Sequence, residues 1–383
     1  MDKTKIFFLT IIFCGFFGLA ENSLAAPSVS AVVGTVSHNS TVTINGSGFG
    51  TKSTVAPFFW DSVGNQPAYN GLTNGTQLFS NSTGDALNGS YPWQGNGSSV
   101  TACGAAYSTT NLRHSHVTAQ YSNRWSMCGG NGSPGVVGGL DMSSRTSHKM
   151  YITWWIYFSG SSDNGGSNKY LRMTANGIDW SHATVSWEPD KVQGYNFDTG
   201  NYTINADSNT PGAGWHRFEA YFDNTTSPDP TVTVSSDNSV LLSVKSGDSV
   251  NYGAVTGNLP TNMMGIYALG ADWSNAQPQG TCTADFGEIY VDDTLARVEI
   301  CNAATKAGSN HCEIQIPQTT WNSGQVQIKV NQGSFADSSS AYIYVVDSTG
   351  AVNANGYAVT LGSSGGGGGD TAPPAAPSGL SVS

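Results

Sequence analysis

The chain has 383 residues, 38% of them hydrophobic, with ten Trp, sixteen Tyr and fifteen Phe, which is room for two or three domains with substantial cores. Only 11% are Asp, Glu, Lys or Arg, against about 25% in an average soluble domain. Gly, Ser, Thr and Asn abound, which suits strands joined by tight turns, and a net charge of -11 without a basic stripe excludes nucleic acid as a partner.

Lys3 and Lys5 precede an apolar run, 6–19, and then the small residues Ala25 and Ala26, the order of a secretory signal peptide over 1–25. Cleavage after Ala20 or Ala25 satisfies the small-residue rule, and Ala25 is preferred because the next element starts at Pro27. A lipid anchor on Cys14 is disfavoured by the bulky Phe13 before it. No later stretch reaches the roughly 20 apolar residues of a membrane span, so the expected location is secreted, extracellular or cell-surface. Five cysteines follow: Cys103, Cys128, Cys282, Cys301 and Cys312. None has the CxxC spacing of a zinc site. In an oxidising compartment the short-loop pairing is Cys103 with Cys128 and Cys301 with Cys312, which leaves Cys282 either as a buried thiol or as a sign of a different pairing.

From Pro27 the residues Thr41, Val42, Thr43 and Ile44 alternate and lead into Asn45-Gly46-Ser47-Gly48-Phe49-Gly50, a strand and a glycine-rich turn too short to make a domain alone. Strands at 313–316, 325–330, 341–346 and 356–361 supply the missing partners, at the spacing of an immunoglobulin-type sandwich. The opening PSVSAVVGTVSHNSTVTINGSGFG resembles the start of an IPT/TIG domain, and EIQIPQTTWNSGQVQIKVNQGSF with AYIYVVDSTGAVNANGYAVTLG resembles the rest of that Ig-like fold. The expectation is a discontinuous Ig-like domain over 27–57 plus 298–362.

The insert, 58–297, holds nine of the ten Trp. Strands are predicted at 150–158, 169–173, 215–222, 231–234, 240–244, 263–269 and 284–291, with no long helical period, which suits a double-sheet jelly roll. The run KMYITWWIYF, NKYLRM, GWHRFEAYFDN and ADFGEIYVDDT resembles concanavalin A-like lectin/glucanase modules. The fold class expected is therefore all-β, an Ig-like (IPT/TIG) sandwich interrupted by a concanavalin A-like jelly roll. Residues 363–383 begin with a glycine-rich linker, and DTAPPAAPSGLSVS resembles the first strand of a truncated fibronectin type III domain.

Side chains two apart on a strand share a face. His216, Phe218, Ala220 and Phe222 form the apolar set, so Trp215, Arg217, Glu219 and Tyr221 are expected to face a groove, with His216 toward the core. Trp155 and Tyr157 share a parity too, and aromatic rings stack on sugars. Trp155, Tyr157, Trp215 and Tyr221 are the carbohydrate-binding candidates. Tyr170 and Arg172 share a face, a pairing that resembles polysaccharide lyases of this fold, where Tyr moves a proton while Arg neutralises a uronate carboxylate. Tyr170, Arg172, Arg217 and Glu219 are thus the catalytic candidates. Glu188-Pro189-Asp190 starts like a laminarinase E-x-D-x-x-E motif but reaches Gln193 where the last carboxylate belongs, which speaks against that glycosidase chemistry.

No cofactor is expected. The oxygen-rich loops 161–164 and 272–275 offer hard ligands to calcium, but lack any EF-hand pattern and read as turns. His114 and His116 share a strand side without a third metal ligand. The leading expectation is a lectin-like carbohydrate-binding or adhesive module whose partner is a polysaccharide or surface glycan. A polysaccharide lyase or glycoside hydrolase is the alternative, and a structural spacer in a multidomain surface protein the third reading.

Overall fold

The computed structural model describes residues 25–76, 78, 93, 105–123, 135–137, 140–142, 149–159, 167–175, 183–188, 191–196, 202–207, 212–223, 231–244, 263–274, 284–362 and 364–365. Residues 1–24 of the leader, Cys103, Cys128, Cys282, loop 161–164 and the tail 366–383 lie outside them. Among the described residues every strand pairing is antiparallel, and the fold is an all-β, jelly-roll-type architecture.

The larger unit has two sheets. One runs Ser239–Val244, Thr231–Ser236, Gly214–Asp223, Lys149–Phe158, Ala284–Asp292, Gln120–Asn123, Ala106–Ser108, with Phe59–Asp61 also paired to Ala284–Asp292. The other runs Tyr202–Asp207, Lys191–Asn196, Ala183–Glu188, Ser167–Ala175, Met263–Ser274, Gly135–Val137. Between them lie Trp154, Ile156, Phe158, Phe218, Ala220, Phe222, Phe286 and Tyr170, all in one core cluster. These side chains follow the strand alternation that the sequence carries, since only one face of each strand can meet the opposite sheet.

A second core joins residues far apart in sequence. Val32, Val42, Ile44 and Phe49 pack with Val298, Ile300, Trp321, Val326, Ile328, Ile343 and Val345. Thr41–Ser47 pairs with Gln325–Lys329, placing Thr41 opposite Lys329 and Asn45 opposite Gln325, while Arg297–Cys301 pairs with both Cys312–Ile314 and Ser340–Val346. The backbone of Ser28 lies so close to Gly46 that a Cβ there would sit 1.9 Å from its carbonyl oxygen, so this strand crossing requires glycine. Cys301 and Cys312, opposite one another on adjacent strands, are disulfide-bonded.

Candidate functional site: the seam and its cleft

On Gly214–Asp223 and Lys149–Phe158 the register sets Trp215 opposite Tyr157, Arg217 opposite Trp155, Glu219 opposite Thr153 and Tyr221 opposite Tyr151. All point away from the jelly-roll core. The sequence assigns this face to an open groove, and here the structure corrects it: the second unit lies across most of it. Arg217 is 1% exposed. It donates from Nε to Thr153 Oγ1 at 3.0 Å, from Nη1 to the Cys312 carbonyl at 3.2 Å, and from Nη2 to Glu219 Oε1 at 3.1 Å, Glu299 Oε1 at 2.8 Å and the Tyr151 hydroxyl at 3.3 Å.

Around it the charges interlock. Arg297 Nε reaches Glu299 Oε1 at 3.2 Å, and Lys306 Nζ reaches Glu299 Oε2 at 2.5 Å. Burial opposes the charge of Glu299, but Lys306, Arg297 and Arg217 outweigh it and hold its carboxyl well below the usual range. Burial likewise opposes the charge on Arg217, and Glu219 and Glu299 keep its pKa above that of a free guanidinium. Tyr151 donates to Glu219 and lies under Arg297, whose guanidinium carbon is 4.6 Å from the ring centre. Its burial raises the phenol well above its ordinary value.

At the far end of the seam Arg113 grips Glu313 through Nη1 and Nη2 at 2.7 and 2.8 Å and Glu288 through Nε at 2.5 Å. Burial opposes ionisation of Glu288, but Arg113 and His114 lower its carboxyl to about 2. Glu288 occupies a β-bulge between Gly287 and Tyr290, with φ +51°. The extra residue aims its carboxylate at Arg113, where the regular alternation has no place for it.

Among the described residues, two sizeable cavities open along this seam. One, of about 540 Å³, is bounded by Tyr221, Glu219, Thr233, Ser235 and Asn238 of the jelly roll and by Arg297 and Lys306 opposite, with Tyr151 at its inner wall and Val240 exposed at its rim. The other, of about 310 Å³, is lined by His38, His116, Glu288, Trp60 and Asn331. His38 and His116 meet edge to face with ring centres 4.6 Å apart. Burial and the neighbouring His116 lower His38 to about 4.

The sequence-derived candidates therefore scatter. Tyr170 is in the core, its ring stacked 5.9 Å from Phe218, so it cannot serve a polymer bound outside. The Arg172 side chain lies outside the described residues, so the pair cannot be placed as a unit. Trp155 is 6% exposed, with the Arg113 guanidinium 4.1 Å over its ring and His311 5.4 Å away; it is a seam residue and is not open to a sugar. Tyr157 and Trp215 are half-buried, ring centres 5.5 Å apart, and Tyr221 and Glu219 line the larger cleft. His216 is half-buried and bonded to Asp237 Oδ2 at 2.8 Å and the Gly212 carbonyl at 3.0 Å. Sequence reasoning missed Arg113, Arg297, Glu299, Lys306 and Glu313, and it read the shared face of Glu288, Tyr290 and Asp292 as explained equally well by a solvated edge strand, whereas Ala284–Asp292 lies inside its sheet and all three are buried. Glu299 between Val298 and Ile300, and Glu313 between Cys312 and Ile314, do carry a signal: lone charges inside otherwise apolar strands of a charge-poor chain.

Among the described residues no helix is long and apolar enough to cross a membrane. The one group of three potential metal ligands found close together there, Glu299, Cys301 and Cys312, has its sulfurs tied up in the disulfide.

No family model matches the chain, and no curated protein matches it. Among solved structures it is similar to the binding domain of botulinum neurotoxin DC, solved with rat synaptotagmin II, at 8% identity and TM-score 0.32 over 63% of this chain and 65% of that one. It thus spans less than two thirds of that domain. Two others are an endo-β-1,4-glucuronan lyase from the fungus Trichoderma reesei, at 10% identity and TM-score 0.30 over 49% of this chain and 86% of the lyase, and alginate lyase AlgAT5 of polysaccharide lyase family 7, at 5% identity and TM-score 0.30 over 45% and 76%.

Proposed function

We propose that this chain is an exported carbohydrate-binding module whose glycan site is the cleft of about 540 Å³ at the seam. In this reading 1–25 is a removed leader, 58–297 the lectin-like jelly roll, and 27–57 with 298–362 a split Ig-like domain that serves as mount and as the second wall of the cleft. The observation that carries it is the lining. A half-buried phenol ring at Tyr221 stands beside hydroxyls of Thr233 and Ser235, the carboxamide of Asn238 and the cations of Arg297 and Lys306. A sugar needs an apolar surface for its C–H face and fixed donors and acceptors for its hydroxyls. The cleft offers both. Its disulfide suits an oxidising compartment.

The test is a glycan array covering neutral and acidic glycans, with Tyr221→Ala and Asn238→Ala as variants. Binding by the wild type, and at least about a tenfold loss, ~1.4 kcal/mol, in Tyr221→Ala is expected. No binding across the array overturns the reading and favours a spacer.

A lyase or hydrolase is the second reading. Its supporting observation is Glu219 on the cleft wall, accepting hydrogen bonds from Tyr151 and Arg217. Release of unsaturated product from a uronate polymer, abolished in Glu219→Gln, would establish it, and a glycan that is bound but never shortened would dismiss it.

A further inference from the structure

Lys52 and Asp292 stand 240 positions apart in sequence, one where the chain passes into the jelly roll and the other where it leaves. Lys52 Nζ lies 2.5 Å from Asp292 Oδ2, and each side chain is 1% exposed. Nζ also donates to the Val55 carbonyl at 2.9 Å, and the Trp321 ring lies over it at 5.6 Å. Both carboxyl oxygens of Asp292 are held: Oδ2 accepts from the Tyr290 hydroxyl at 2.9 Å, and Oδ1 from the Asp293 backbone N–H at 2.9 Å. Among the described ion pairs this one combines an amine, a carboxyl group with a fixed donor at each oxygen, and near-complete exclusion of water.

We propose that Lys52 and Asp292 condense to an intramolecular isopeptide bond, an amide between Lys52 Nζ and Asp292 Cγ. Proton transfer within the pair turns ammonium and carboxylate into amine and carboxylic acid. In a buried pair this exchange is easy, because the neutral forms need no hydration. Burial in fact pushes the Asp292 carboxyl up to about 6 against the opposing pull of Lys52, Tyr290 and Asp293. The amine lone pair then attacks Cγ and forms the C–N bond. The Tyr290 hydroxyl and the Asp293 N–H face the two oxygens as charge develops on them, as an oxyanion hole does. The C–OH bond breaks, and the hydroxyl leaves as water with a proton taken from the nitrogen. No oxidant, reductant or co-reactant enters. The product is a covalent tie across the neck of the jelly roll, holding where the chain enters to where it leaves in a protein whose two units meet along a charged seam.

The experiment is mass spectrometry of the purified full chain after reduction and denaturation. The expected mass is about 18 Da, one water, below that of the same polypeptide unlinked. Trypsin should fail to cut after Lys52, and tandem spectra should show the Lys52 and Asp292 peptides joined. Lys52→Arg should restore the unlinked mass, and Asp292→Asn should lose about 17 Da, one ammonia, in place of water. The wild-type spectra stand by themselves should either variant fail to fold. An unlinked mass with both peptides recovered separately overturns the proposal, as does a loss of water confined to the Asp292 peptide alone, which is internal cyclisation of the aspartate.

Discussion

Replacing Arg217 with methionine distinguishes a residue that holds the seam from one that meets a ligand. Methionine keeps much of the volume and none of the donors, so Thr153, the Cys312 carbonyl, Tyr151, Glu219 and Glu299 each lose a partner. Breaking a buried ion pair by removing one member costs about 3–5 kcal/mol. Here Arg297 and Lys306 remain beside Glu219 and Glu299, so two cations still face two carboxylates. The loss should therefore fall at the low end, about 3 kcal/mol. Urea denaturation followed by tryptophan fluorescence and by far-ultraviolet circular dichroism measures it, two probes being needed because a protein with two cores need not unfold in one step. Should Arg217→Met keep its stability within about 0.5 kcal/mol while losing glycan binding, the residue faces an open groove and the seam as described is wrong.

His38, lowered to about 4, binds its proton more readily in the unfolded chain, where its pKa is about 6.5. Stability should therefore fall as pH drops from 6.5 toward 4, by roughly 1–2 kcal/mol once solvent reaching the half-buried ring is allowed for. Asp292, raised to about 6, works in the opposite sense while it is unlinked, so the comparison to make is His38→Gln against wild type at pH 7 and pH 4.5. The variant should lose less, and equal losses would remove His38 as the cause. Gly333 has φ +58°, and a Cβ there would sit 2.0 Å from the Glu313 carboxyl carbon. Gly333→Ala should displace the carboxylate that Arg113 grips and cost about 3 kcal/mol or more, read as a fall in Tm; an unchanged Tm refutes that packing. Opening the Cys301–Cys312 loop by double substitution with serine should cost roughly 3 kcal/mol in denaturant, and less than about 1 kcal/mol would mean that the bond is not kept closed in the folded protein.

Much of the strand framework was legible because alternation reports which side chains share a face. Phe218, Ala220 and Phe222 read as one apolar set and lie together in the core, and the strands Lys149–Phe158 and Ala284–Asp292 fall where aromatic and β-branched residues concentrate. Alternation does not say what lies opposite a face. Arg217 and Glu219 carry the residue types of a ligand site, and nothing local distinguishes that from a buried junction whose partner, Glu299, is 82 positions from Arg217. Tyr170 misled for a related reason. Parity sets it on one face with Arg172 but does not say which face meets the opposite sheet, and Tyr170 lies in the core against Phe218. The bulge at Glu288 left no mark in the sequence beyond the Gly287 before it.

The distribution of charge explains why a site at the junction of two units is workable in so polar but so weakly charged a chain. Of its fifteen Lys and Arg, Lys52, Arg113, Arg217, Arg297 and Lys306 all take part in ion pairs at or beside the seam. Such pairs add little net stability, because desolvation offsets most of their attraction. They are, however, intolerant of displacement: sliding one unit by a single residue would take Arg217 from Glu299 and Arg113 from Glu313, both carboxylates fully buried. An apolar join of equal area would accept several relative positions. A cleft with one wall from Gly214–Asp223 and the other from Arg297 and Lys306 keeps its shape only if one position is enforced, and charge matching at Arg113 and Arg217 enforces it from both sides.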